Sequence, residues 1–196
     1  MGSEVRPATA SDLTAIAAAV ARAFEDDPVM RYLRGGGDAA PERSEPFFRL
    51  LGRQQLRHGF VYTTDARDAA AFWAPPGKWK APPTTLLKAL PVFVRSWGRH
   101  VVRNLGVLAT VEKLHPHEPH YYLSVLGTDP VAQGKGIGSS LMRPVLERCD
   151  EEGLGAYLES SKESNLAFYA RHGFEVTDHV DLPDGPTIWP MWRAPR

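Results

Sequence analysis

Three glycines at alternate positions in Gln133-Gly134-Lys135-Gly136-Ile137-Gly138 stand between a β-rich run and a helical one. Backbone without Cβ atoms turns sharply and brings unpaired N–H groups against an anion, and the positive end of the helix dipole favours the same charge. The chemistry on offer is diphosphate binding; the alternative is a turn that uses glycine only for its shape. A P-loop follows its lysine with Ser or Thr, whereas Lys135 is followed by Gly136. A dinucleotide fingerprint is met in part, because Glu159 supplies an acidic residue about twenty positions further on. Ser139, however, takes the place of the third glycine, and the unit comes late in the chain. His115, His117 and His120 cluster densely enough for a metal, yet Pro116 and Pro119 interrupt the spacing and no metal site is expected. Cys149 falls in an apolar helical stripe, which predicts a buried, inert thiol.

The elements that must position this loop follow from periodicity. Glu4 to Ala8 reads as a strand, and Ser11 caps a helix carrying Leu13, Ile16, Val20 and Phe24 at spacings of three and four. Gly35-Gly36-Gly37 with Asp38 and Pro41 reads as a loop, and Arg43 to Arg57 as a second helix. Phe60–Thr64 and Asp68–Ala74 form a hairpin about the turn Asp65–Arg67. From about 75 to 117 comes a proline-rich entry and then an apolar series from Leu86 to Leu108, with Pro91 expected to break or kink it. This helical stretch either packs as plain core or walls a pocket with Trp97, His100 and nearby arginines. Tyr121–Thr128 is the next strand, followed by the glycine turn and a helix to Cys149 in which Pro144 predicts a bend. Gly155–Ser160 reads as a strand, Ser164 caps a short helix to His172, Gly173 ends it, and strands close the chain around Pro183-Asp184-Gly185.

At 196 residues the chain suits one domain, and its 43% hydrophobic and 23% charged content sits near the globular average. Lys plus Arg and Asp plus Glu balance at 23 each, so no long-range field gathers the protein onto nucleic acid or anionic lipid. One cysteine forms no intramolecular disulfide, which suits a reducing cytoplasm. The uncharged stretch Leu13–Ala21 is too short to span a bilayer, and neither membrane anchor nor export signal is expected.

The stretch from Val125 to Gly138 resembles the acyl-CoA-binding motif of the GNAT acetyltransferase superfamily, where a Gln or Arg and then Gly-x-Gly-x-Gly or Ala open a helix after a strand. Asn165-Leu-Ala-Phe-Tyr169-Ala-Arg-His-Gly173-Phe174 is similar to that superfamily's next signature. The order of elements also matches over nearly the whole chain. The resemblance implies an α/β fold with a central mixed sheet flanked by helices, one GNAT domain over 1–196, and a helical insertion at about 75–117 before the long central strand. The C-terminal half looks closest to the puromycin N-acetyltransferase group, through Gln133–Ser139, Pro144, Leu158-Glu159-Ser160-Ser161, Asn165–Phe174, Val180–Pro186, Trp189 and Met191. The N-terminal half matches less clearly.

The resemblance further implies acetyl-CoA as donor, in a V opened between the two central parallel strands, and no metal. Backbone groups of Leu126, Gly127 and Thr128 would hold its pantetheine arm. Gln133, Gly134, Gly136, Gly138 and Ser139 would cradle the diphosphate, with Lys135 adding charge or simply solvated. Asn165, one turn before Tyr169, would also meet the cofactor. Tyr169 would protonate the departing thiolate, the alternative being a core aromatic beside Phe168 and Phe174. Glu159 would take the amine's proton or hold the cationic amine, the alternative being a solvated glutamate at a strand end. Asp27 and Tyr32, with Asp26, follow the first helix where the family builds part of its acceptor site; surface charges are the alternative. The implied partner is a small-molecule amine such as a puromycin-like aminonucleoside, with protein lysines or N-termini and a non-catalytic acyl-CoA sensor as alternatives, in a monomer or homodimer.

Overall fold

In the computed structural model, which describes residues 4–36, 41–80 and 82–196, eight strands form a mixed sheet with helices on both faces. The order is β1 (Val5–Pro7), β2 (Val61–Thr64), β3 (Ala69–Ala74), β4 (His120–Thr128), β5 (Gly155–Ser160), β8 (Thr187–Arg193), then β6 (Glu175–Val176), with β7 (Val180–Asp181) also paired to β8. Neighbours run antiparallel except β4 and β5, which are parallel at the centre. Gly37 and Asp38 of the expected loop lie outside the described residues.

Strand periodicity sorts the core into two layers. In β3, Ala70 and Phe72 face α1 (Leu13–Ala23), α3 (Glu45–Leu56) and α4 (Pro83–Trp97), while Ala69, Ala71 and Trp73 face α6 (Ile137–Glu152). Both sides of β3 are buried, which accounts for a run too uniformly apolar to show alternation. In α6 the buried Ile137, Leu141, Met142, Val145, Leu146 and Cys149 recur at helical spacing. Burial raises the Cys149 thiol to about 12, so it stays protonated.

The helices correct several sequence expectations. Thr9 and Asp12, not Ser11, close a capping box before α1: Asp12 accepts from Thr9 N at 2.9 Å and pairs with Arg6. An unforeseen short helix, α2 (Pro28–Leu33), starts at Asp27, whose Oδ1 accepts from Met30 N at 2.8 Å. Pro91 does not break α4; it lies on an exposed turn, where the carbonyl it leaves unbonded can be hydrated. The break falls at Gly98, with φ 54° and ψ −130°, before α5 (Val101–Leu114). Helix α6, by contrast, runs on past Pro144, as expected of a proline read there as no terminus. Helix α7 covers only Leu166–Ala170, with Glu163–Asn165 as a 3-10 turn before it, so Ser164 is no cap.

Candidate active site

The central parallel pair joins only at its beginning. His120–Leu123 align with Gly155–Leu158, after which β4 continues along β3 to Thr128 and β5 continues along β8 to Ser160. A bulge marks the divergence: Phe72 faces Val125 and Trp73 faces Leu123, leaving Ser124 as the extra residue, its Oγ donating to Phe72 O at 3.0 Å. The extra residue also reverses the side-chain alternation. Tyr121 and Leu123 face α6, whereas Val125 faces α1. From Ser124 onward the β5-facing edge of β4 is unpaired, and Leu126, Gly127 and Thr128 lie along it. Gly127 lets this strand approach α1: a Cβ there would lie 3.2 Å from Phe24 and 3.3 Å from Ala23.

On the α6 side the gap meets the glycine turn. Gly134 and Gly136 adopt left-handed φ of 77° and 78°, and added Cβ atoms there would project into open space. The first bond of α6 runs from Ser140 N to Gly136 O, so the N–H groups of Ile137, Gly138 and Ser139 have no acceptor inside the helix. Gln133 braces the turn by donating from Nε2 to Thr128 O at 3.0 Å, and Gly138 admits the Phe168 ring, which a Cβ would approach to 3.3 Å. The Lys135 ammonium reaches back to Val131 O at 3.4 Å, and Ser139 Oγ bonds His172 Nε2 at 3.0 Å. A row of outward N–H groups at a helix start fits a diphosphate, and the strand gap offers unpaired backbone for an amide-bearing arm. Asn165 is exposed in the turn before α7. Tyr169 is half-buried against Phe168 and Phe174, with ring centroids 5.2 and 6.1 Å away. Burial first, and the charge of Asp27 second, hold its phenol above the ordinary range, so it is protonated at neutral pH.

On the opposite face lies a cavity of about 360 Å³. Alternation along β5 sends Ala156 and Leu158 toward α6 and Glu159 into this cavity, where it is joined from β4 by Tyr122, Ser124 and Val125. The solvated-glutamate alternative fails, because the Glu159 side chain is only 9% exposed and its Oε1 is buried without a hydrogen-bond partner. Burial raises Glu159 to about 7, against the opposing effect of the nearby Tyr122 and Tyr157 hydroxyls.

Histidines back this carboxyl. The Glu118 carbonyl accepts from His120 Nδ1 at 2.7 Å, which leaves His120 Nε2 to accept from His115 Nδ1 at 3.3 Å. His115 Nε2 then turns a lone pair toward Glu159 Oε1, 3.4 Å away. Burial drives His115 down to about 3, and Trp79 stacks on its ring at 3.7 Å, so it stays neutral and favours the protonated form of Glu159. Among the described residues no group of His, Cys, Asp and Glu has a metal-binding arrangement. Local spacing gave His115 away only as a metal candidate; its contact with Glu159 is made across the sheet.

The surface-charge alternative for Asp27 is also corrected. Asp27 lines the cavity at 4% exposure and accepts from Met30 N and Ser161 Oγ, with burial raising its carboxyl. Asp26 does lie outside, paired with Lys162 at 2.5 Å. Tyr32 is not on the cavity wall: its hydroxyl donates to Pro183 O at 2.7 Å and Arg103 lies 4.0 Å over its ring. The helical stretch both packs and encloses. Phe93, Leu105 and Leu108 line the cavity, whereas Trp97 is buried in the core and neither it nor His100 is on the wall. Phe47, Phe48 and Leu51 of α3 and Met30 of α2 complete an apolar lining that no local sequence motif signals.

A strand gap thus separates an anion-binding turn from an apolar cavity with a buried carboxyl. The sequence profile of the Acetyltransferase (GNAT) family matches residues 66–174, and the chain belongs to that family. An uncharacterized N-acetyltransferase of Schizosaccharomyces pombe is 29% identical over 184 residues, covering 88% of this chain and 74% of the relative. A probable serine/threonine-protein kinase of Dictyostelium discoideum is 25% identical over 192 residues, and there the match spans 20% of the longer protein. Among solved structures, the fold is shared with a Corynebacterium glutamicum protein described as histone acetyltransferase HPA2 and related acetyltransferase (TM-score 0.71, 23% identity, 100% and 98% of the two chains). It is shared too with arylalkylamine N-acetyltransferase 2 of Aedes aegypti (TM-score 0.70, 10% identity, both chains covered in full). The protein is an acetyltransferase with a GNAT fold.

Proposed function

We propose that this enzyme moves the acetyl group of acetyl-CoA directly to a primary amine of a small molecule. The observation that carries the reading is Glu159, a buried carboxyl whose Oε1 has no hydrogen-bond partner, at the point where an amine-sized cavity meets the gap between β4 and β5. When bound, acetyl-CoA supplies a thioester carbonyl for attack. Residues Gly134–Ser139 fit its diphosphate and the unpaired edge of Leu126–Thr128 fits its arm, with Gln133 bracing and Asn165 at the turn before α7. Glu159 removes the proton that makes an arriving ammonium unreactive, and Tyr169 donates a proton to the thiolate as the C–S bond breaks.

The cavity's volume of about 360 Å³ and its mainly apolar lining support a small acceptor over a folded protein's lysine or N-terminus. Fold neighbours agree in kind, including a Drosophila melanogaster polyamine N-acetyltransferase (TM-score 0.66, 14% identity, 97% and 99% of the two chains). The resemblance of the C-terminal half to the puromycin N-acetyltransferase group makes aminonucleosides or other antibiotics one candidate within this class. We read 1–196 as one catalytic domain, monomeric or homodimeric. A cytoplasmic setting suits its single buried cysteine, and no helix among the described residues is long and apolar enough to cross a membrane. The test is thiol release from acetyl-CoA with a panel of amines beginning with puromycin, each product weighed by mass spectrometry. Amine-dependent release with an N-acetyl product supports the reading; acetyl-CoA binding without release from any amine or peptide would leave a sensor.

A further inference from the structure

The charge-bearing side chains on the cavity wall are Asp27, Lys80, Glu112, His115 and Glu159. Four of them are already spoken for. Asp27 uses both carboxylate oxygens, on Met30 N and Ser161 Oγ. Glu112 is neutralised by an ion pair with Lys80, at the exposed edge of the cavity. His115 gives its Nδ1 proton to His120 and is neutral. Glu159 Oε1 alone is buried with its acceptor capacity unused. The rest of the wall carries no charge and is mainly apolar, including Phe24, Met30, Phe47, Phe93, Leu105 and Leu108, with Gln54, Gln55, Thr85, Tyr122, Ser124 and Ser161 as its uncharged polar residues. One further orphan faces this environment: Gln55 Oε1, on α3, is buried without a partner and its residue lines the same space.

We propose that the acceptor is a monoamine whose single ammonium meets Glu159 and whose remaining body is apolar, of about one aromatic ring with a short alkyl link. This rests on the acetyl-transfer reading above and narrows its substrate class, leaving out the bulkier puromycin-like aminonucleosides. A second cation, whether the further ammonium of a polyamine or the guanidinium of agmatine, has no free carboxylate among the described residues to meet inside the cavity and would be desolvated against a mainly apolar wall, which is strongly unfavourable for an unpaired charge. An uncharged body gains from the same burial. The size agrees, since 360 Å³ stands near the low end of the roughly 300–1,000 Å³ typical of small-molecule sites. Gln55 Oε1 adds one acceptor, so a body with a hydroxyl or ring N–H donor gains over the same body without it.

The discriminating experiment compares kcat/KM for 2-phenylethylamine, tyramine, agmatine, spermidine and a lysine peptide at saturating acetyl-CoA. The aryl monoamines are expected to exceed agmatine and spermidine, which carry more than one positive charge, by about 10-fold or more, through KM. Leu105→Glu and, separately, Leu86→Glu place a new carboxylate on the wall at positions 37% and 38% exposed, where a charge is tolerated in folding. Either is expected to shrink the preference over agmatine by about 10-fold while the affinity for acetyl-CoA is unchanged. Agmatine, spermidine or the peptide turned over as well as the aryl monoamines would overturn the monoamine assignment and leave acetyl transfer intact. An unchanged preference in both glutamate variants, each still binding acetyl-CoA, would overturn the placement of the apolar body against α4 and α5. Thiol release from none of the amines, with acetyl-CoA bound, would remove the acetyl-transfer reading itself and this class with it.

Discussion

Glu159 is held in a condition that costs stability and suits a base. Its carboxyl is raised to about 7 by burial, while an unfolded chain would ionise it near the model-peptide value of about 4.3. The folded state therefore binds more protons than the unfolded state between those values, and stability falls as pH rises through that window and levels off above 7. Glu159→Gln removes the titration. Its melting temperature is expected to gain on the parent's as pH rises from 5 to 7, by a margin equivalent to roughly 3 kcal/mol, and to hold that gain to pH 9. Thermal scans across pH check this; a constant difference would show that the carboxyl does not titrate there. Catalysis should run the opposite way. For the parent, kcat/KM falls with acidity below about 7, as the base becomes protonated, whereas the glutamine variant loses that limb and about 10²-fold or more in rate. Tyr169→Phe is expected to lower kcat by about 10²-fold with KM for acetyl-CoA nearly unchanged, because the ring packing against Phe168 and Phe174 survives. Motif order singled out both residues. It could not show that Glu159 is backed by His115, whose ring reaches it from the far end of α5.

At the scale of elements, the strands and the glycine turn were legible because their signals are local. The boundaries of β5 were read without error, and β2 and β3 within one residue, since a tight turn and period-two packing fix them. Helix α2 was missed although Asp27-Pro28 is a cap followed by a proline at the first helical position; its six residues are too few for periodicity to register. Pro91 does not break α4, because the cost of an interior proline depends on exposure, which sequence spacing does not report. The bulge at Ser124 had no signal either, yet it turns β4 away from β5 and brings Tyr122, Ser124 and Val125 to one cavity. The glycine turn supports a sharper expectation. Gly136→Ala would put a Cβ on a residue at φ 78° with no neighbour to strike, so the penalty is conformational, about 1–2 kcal/mol in stability. Calorimetry should then show acetyl-CoA bound about 10-fold more weakly, because the turn must relax and its N–H row loses alignment. Equal affinity would place the diphosphate elsewhere.

Over the whole molecule the sheet divides two tasks that are encoded differently. The donor side comes from contiguous sequence, the end of β4, the turn, and the start of α6, so a short motif announces it. The acceptor side draws on α1 to α5 and three strands, scattered from Phe24 to Ile188, and only the folded chain brings them together. That division predicts separable kinetics. Asn104 is fully buried on α5 and donates from Nδ2 to Leu33 O at 2.6 Å, tying the helical wall to the end of α2 next to the cavity residues Val29 and Met30. Asn104→Ala leaves that carbonyl unpaired and should cost about 1–3 kcal/mol in stability. The loosened wall should raise KM for the amine several-fold, while the dissociation constant of acetyl-CoA stays within about two-fold, since α5 packs in the core layer on the other side of the sheet from α6 and its glycine turn. Parallel losses in both constants would mean that the two faces of the sheet are coupled through β4, with the bulge at Ser124 the element that transmits the change.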